Sequence, residues 1–93
     1  MSMKDALVNK LQTQVEEWNS RVERLRAEAE EKKAEAKDEH AEDQVEKEFD
    51  SKIDDLKDQI AAAKEKLSEV REASESRVAE LRESIGNWIS GKS

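Results

Sequence analysis

Few residues in this 93-residue chain have the chemistry for a functional site. His40 is the only histidine, and it lies among Glu39, Glu42, Asp43 and Gln44. One imidazole among carboxylates is the raw material of a metal site or a pH switch. Helical spacing puts only some of these residues on one face, and a single nitrogen donor makes a weak ligand set. The plainer reading is a solvated histidine in an acidic run. The chain has no Cys and no Tyr, only two Gly and no Pro. Thiolate chemistry, disulfides and glycine-rich phosphate loops are therefore absent from the sequence. No Ser–His–Asp arrangement or pocketed carboxylate pair can be drawn, so no catalytic, cofactor-binding or metal residue is assigned and no enzyme activity is expected.

Trp18 and Trp88 remain. A tryptophan is either a large core knob or an anchor for a partner, and its indole N–H needs a hydrogen-bond partner when buried. Trp18 lies in "VEEWNSRVERL" among small aliphatics at spacings of three and four. The series Val8, Leu11, Val15, Trp18, Val22, Leu25, Ala29 is a heptad seam, and the seam makes Trp18 a core residue. Trp88 follows Gly86-Asn87, where a helix is expected to fray, and is expected to pack on Val8 or Met3. Its alternative role, shared with His40, is as a candidate interaction residue.

These residues must be held by helices. Leu, Ile, Val and Phe make up only 17 of the 93 residues, and the net charge is −7, a composition bordering on disorder. Ala, Glu, Lys, Leu and Arg make up 51, which instead signals helix if the apolar residues are periodic. They are. A second seam runs Phe49, Ile53, Leu56, Ile60, Ala63, Leu67, Val70 and Ser74. It then slips by four residues to Val78, Leu81, Ile85 and Trp88, a slip read as a local change of supercoil within one helix. The two seams lose phase between Lys37 and Glu48. The sequence is expected to fold as a single all-α domain, with helix 1 over about 4–40, a tip over about 41–47, helix 2 over about 48–86 and a short C-terminal tail.

A fold-back near residue 46 would set Leu25 opposite Leu67, Val22 opposite Val70, and Trp18 opposite Ala73-Ser74. The expected form is an antiparallel coiled-coil helical hairpin. The core and register residues are Leu11, Val15, Trp18, Val22, Leu25, Ile53, Leu56, Ile60, Leu67, Val70 and Leu81. One long continuous helix in an antiparallel dimer would make the same contacts and stands as the alternative. A lone pair of helices buries only one stripe each, so two hairpins are expected to pair as a four-helix bundle. Leu7, Val45 and Ile89 lie just off the seam and point to such association. Ser2 with Asp5 forms a capping-box pattern, Asp38 or Asp43 is placed to cap helix 2, and "IGNW" to end the last helix. Glu17–Arg21, Glu28–Lys32, Asp43–Lys47 and Glu48–Lys52 have the spacing of helix-stabilising ion pairs.

"VNKLQTQVEEWNSRVERLRAEAE" resembles the opening of a group of small uncharacterised bacterial coiled-coil proteins with a KLxxxLxxWN-type motif. The matching residues are Lys10, Leu11, Val15, Trp18, Asn19, Val22 and Leu25. The stretch 61–81 is similar to that group's second helix around Lys66, Leu67 and Ala73-Ser74. Two features depart from the group. A Trp common after its Ala-Ser pair is replaced here by Arg77 or Val78, and its C-terminal amphipathic tail is longer. The resemblance implies a coiled-coil fold and no particular activity.

The acidic charge disfavours nucleic acid and anionic lipid as partners. No apolar h-region opens the chain and no apolar run reaches 18 residues, so a cytoplasmic location is expected and a membrane role is disfavoured. The expected function is a structural or protein-interaction module that acts through self-association, as a dimer, and through an acidic helical surface. Its protein partner is not specified by the sequence. The alternatives are a stress-protective, conditionally ordered helical protein and a peripheral amphipathic protein at membrane surfaces.

Overall fold

A computed structural model describes residues 2–92, with the side chain of residue 92 left out. The described chain is helical: α1 spans Met3–Glu35, α2 Glu39–Glu72 and α3 Glu75–Lys92. By contact it divides into two compact units. One joins Met1–Val15 to Ala62–Ser93, and the other is Glu16–Ala61.

Helix α1 starts where the sequence places a cap. The Asp5 N–H donates to Ser2 Oγ at 3.1 Å, and the Ala6 N–H donates to the Ser2 carbonyl at 3.0 Å. Asp5 in the first turn and Lys32 and Lys33 in the last both suit the helix dipole. The helix ends at Glu35, earlier than the expected residue 40. The Ala36 N–H donates to the Lys33 carbonyl at 3.1 Å, tightening the final turn. Asp38 then opens α2, accepting the Ala41 N–H on Oδ1 at 2.8 Å, and Glu39 and Glu42 in the first turn favour the positive helix end. The turn is therefore residues 36–38, and the expected tip, 41–47, is helical. No non-glycine residue among those described has positive φ, so the connection needs no Gly or Asn.

This turn also changes the expected register. Within the Glu16–Ala61 unit, Lys33 Nζ lies 3.6 Å from Glu46 Oε1, and Leu25 and Leu56 line one groove. Facing residues thus centre close to the turn, not on residue 46. The pairing rule that set Leu25 opposite Leu67 and Trp18 opposite Ser74 is replaced accordingly. A continuous helix through this region is likewise not formed, because Lys37 and Asp38 lie outside helix.

The second correction is at Ala73-Ser74. Here the four-residue slip is a break, and the expected helix over 48–86 is two helices. The Ala73 N–H reaches the Val70 carbonyl at 3.2 Å, while the Lys4 ammonium donates to the Ala73 carbonyl at 3.1 Å. A lysine on a terminal carbonyl satisfies an acceptor that the helix cannot. Ser74 begins α3: its carbonyl accepts the Val78 N–H at 2.9 Å, and its hydroxyl lies 3.4 Å from the Arg77 backbone nitrogen. Gly86 and Asn87 do not end α3. They lie within it, and Gly86 has ordinary helical φ.

Because the chain turns at Ala73-Ser74, α3 folds back within its unit. Val78, Leu81, Ile85 and Ile89 join Leu7 and Leu11 of α1 and Leu67 and Val70 of α2 in one buried cluster. Burying side chains of this size contributes roughly 1.5–3 kcal/mol each. Leu7 and Ile89, read as hints of association, are consumed in this core. The Glu16–Ala61 unit has only two helices. Its buried apolar side chains are Trp18 and Val22 on α1 and Phe49, Ile53 and Ile60 on α2.

Candidate interaction surfaces

The residues singled out by chemistry fall in different places. His40 is exposed at the second position of α2, beside the exposed Glu39, Glu42 and Asp43. Among the described residues, no three His, Cys, Asp or Glu side chains are grouped to hold a metal ion. Trp18 is fully buried, with no accessible surface, inside the Glu16–Ala61 unit. Trp88 is half-buried. It packs against the three-helix cluster, as do Val8 and Ala73, and the Lys66 ammonium sits 4.9 Å from its ring centroid. That distance is within cation–π range, an interaction the apolar seam alone does not disclose. Asn19, matched in the resemblance, is exposed.

Of the register residues, Leu11, Trp18, Val22, Ile53, Ile60, Leu67, Val70 and Leu81 are buried, whereas Val15, Leu25 and Leu56 are only half-buried. Val15 lies in the three-helix unit, and Leu25 and Leu56 lie in the two-helix unit, whose Trp18, Val22, Ile53 and Ile60 are buried. In the two-helix unit, Leu25 and Leu56 have one open side.

Three grooves stand out among the described residues. The first, in the three-helix unit, has a volume of about 400 Å³ and is lined by Ser2, Met3, Ala6, Leu7, Lys10 and Arg82. Met3 is 40% exposed, the one exposed large apolar side chain among the described residues. The second, about 290 Å³, lies in the two-helix unit between α1 and α2. Charge dominates its lining, with Arg26, Lys33 and Lys57 against Glu30, Glu46, Asp50 and Asp54. The third, about 270 Å³, is the groove of Leu25 and Leu56, rimmed by Arg21, Arg24 and Glu28.

Charge is divided unevenly between the units. Glu16–Ala61 holds 17 of the 24 acidic residues and nine of the 17 basic ones, a net −8. The remainder holds seven acids against eight bases, a net +1. The chain's acidity therefore belongs to the two-helix unit. The ion pairs there are exposed: Lys33–Glu46 at 3.6 Å and Lys52–Glu48 at 3.8 Å, the latter one of the pairs expected from spacing. Exposed pairs of this kind are worth at most about 1 kcal/mol.

An open groove with an apolar floor and a charged rim suits capture of a side chain from another protein surface. Neither the Leu25–Leu56 groove nor the Lys66–Trp88 contact was legible in the sequence. The first depends on how α1 packs against α2 within their unit, and the second on the fold-back of α3.

No family model, curated protein or solved structure matches the chain. No helix is long and apolar enough among the described residues to cross a membrane.

Proposed function

We propose that this protein is a non-catalytic structural and protein-interaction module that works by self-association and by offering an acidic helical surface. The observation that carries the reading is the two-helix unit. It has a net charge of −8 and an apolar seam that is half-open at Leu25 and Leu56. A half-open seam is completed by another helix, and charge on the surrounding faces selects the partner and steers its approach. In this reading α1 and α2 form an antiparallel coiled-coil hairpin, and two copies combine as a four-helix bundle. The module belongs in the cytoplasm, among small bacterial coiled-coil proteins of the KLxxxLxxWN type.

Thermal melting followed by circular dichroism, with light-scattering mass on the same sample, tests this. The expected result is a helical protein that melts cooperatively with a mass above that of one chain. A largely disordered monomer would favour a stress-protective, conditionally ordered protein. Helicity that appears only with lipid vesicles would favour a membrane-surface role.

A further inference from the structure

We propose that two copies of the chain associate through the Leu25–Leu56 groove, with their α1 helices antiparallel across a twofold axis between positions 24 and 25. The inference rests on the self-association reading above and names the surface. Leu25 and Leu56 are half-buried on the floor of a shallow groove, and Arg21, Arg24 and Glu28 form its rim. All three rim residues are exposed, and none is engaged in an ion pair among the described residues.

The order of these residues is what identifies the occupant. Along one face of α1, a cation at 21 and an anion at 28 flank an apolar residue at 25. Arg21 and Glu28 lie about 5 Å along the helix on either side of the axis. A twofold interface is self-complementary, so a contact made by one copy is repeated by the other. An antiparallel second α1 therefore brings its Glu28 to Arg21, with Arg24 within the same reach, and brings its Arg21 to Glu28. Its Leu25 covers the open side of Leu25 and Leu56.

The local charge balance also selects this face. The unit carries −8, so copies meeting through most of its surface would repel one another. This rim has two arginines to one glutamate, whereas the neighbouring groove has three cations to four carboxylates.

Sedimentation equilibrium on wild type, Arg21→Glu, Glu28→Arg and an equimolar mixture of the two variants tests the arrangement. Both substitutions are at exposed positions, and circular dichroism of each variant checks that helicity is retained. Wild type is expected to dimerise. Each variant alone places like charges together twice and should weaken the dimer roughly tenfold or more. In the mixture, position 21 of the Arg21→Glu chain, now acidic, meets position 28 of the Glu28→Arg chain, now basic. The native Glu28 of the first chain meets the native Arg21 of the second, and association should be restored. A wild-type dimer whose strength neither variant changes would overturn this surface while leaving self-association standing. Loss in both variants without recovery in the mixture would overturn the antiparallel pairing. A wild type that stays monomeric would overturn the surface and the self-association reading together.

Discussion

The Lys4 ammonium donates a hydrogen bond to the Ala73 carbonyl at 3.1 Å, tying the first turn of α1 to the end of α2 across 69 residues of sequence. The bond is part-buried, and it holds the connector from which α3 turns back. It thus couples the cap of one helix to the direction of another.

Replacing Lys4 with Met keeps most of the apolar stem and removes the donor. The substitution is expected to cost about 1 kcal/mol, the scale of a hydrogen bond made by a charged group after allowance for partial exposure. In a domain of this size that lowers the melting temperature by about 4–8 °C. An unchanged melt would show that Ala73 is satisfied by solvent and that the lysine holds nothing.

Gly86 supplies a test of opposite sign. It lies within α3 with ordinary helical φ, and a Cβ built there meets no atom within 4 Å. Gly86→Ala is therefore expected to stabilise the protein by roughly 0.5–1 kcal/mol, through reduced backbone entropy in the unfolded chain. If Gly86 ended the helix in a left-handed conformation, the same substitution would destabilise. Urea unfolding of the two proteins separates the outcomes by sign alone.

Trp18 is the largest fully buried side chain among the described residues. Its truncation to Ala is expected to cost about 3–5 kcal/mol, a large part of the stability of a small domain. A thermal melt should fall by at least about 12 °C. A variant that kept the wild-type melting temperature would place Trp18 outside the core.

Gln59 has a buried Oε1 that accepts no hydrogen bond among the described residues. Buried acceptors without partners are a net cost, and Met has similar length and helix propensity. Gln59→Met is expected to raise stability by about 1 kcal/mol in urea unfolding. A loss of stability would mean that the amide has a partner in solution.

Parts of this architecture are legible in the sequence, and the reasons differ from residue to residue. The Ser2 cap was legible because a Ser before an apolar-periodic run has one natural role. Asp38 was legible only as one of two candidates. The turn was expected later, over 41–47, because apolar spacing is weak throughout that region and no Gly or Pro marks a stop. What decides the position is a hydrogen bond, the Ala41 N–H to Asp38 Oδ1, together with the acids that follow it.

The break at Ala73-Ser74 is harder to read. A four-residue slip in an apolar seam fits both a continuous helix with altered supercoil and two helices meeting at a corner. Only the fold-back of α3 onto Leu7, Leu11, Leu67 and Val70 resolves it. That fold-back also accounts for Leu7 and Ile89, which lie off a seam drawn for two helices and on the core of three. Leu25 and Leu56 have the core pattern in sequence, but their half-exposure is set by how α1 and α2 pack, which the pattern does not fix.

Whether the chain completes its half-open seam with another copy of itself is tested most directly by sedimentation equilibrium of the wild-type protein over a wide concentration range. The expected result is a mass rising to twice the 10.6 kDa of one chain, with helicity retained. A mass that stays at 10.6 kDa throughout would contradict self-association.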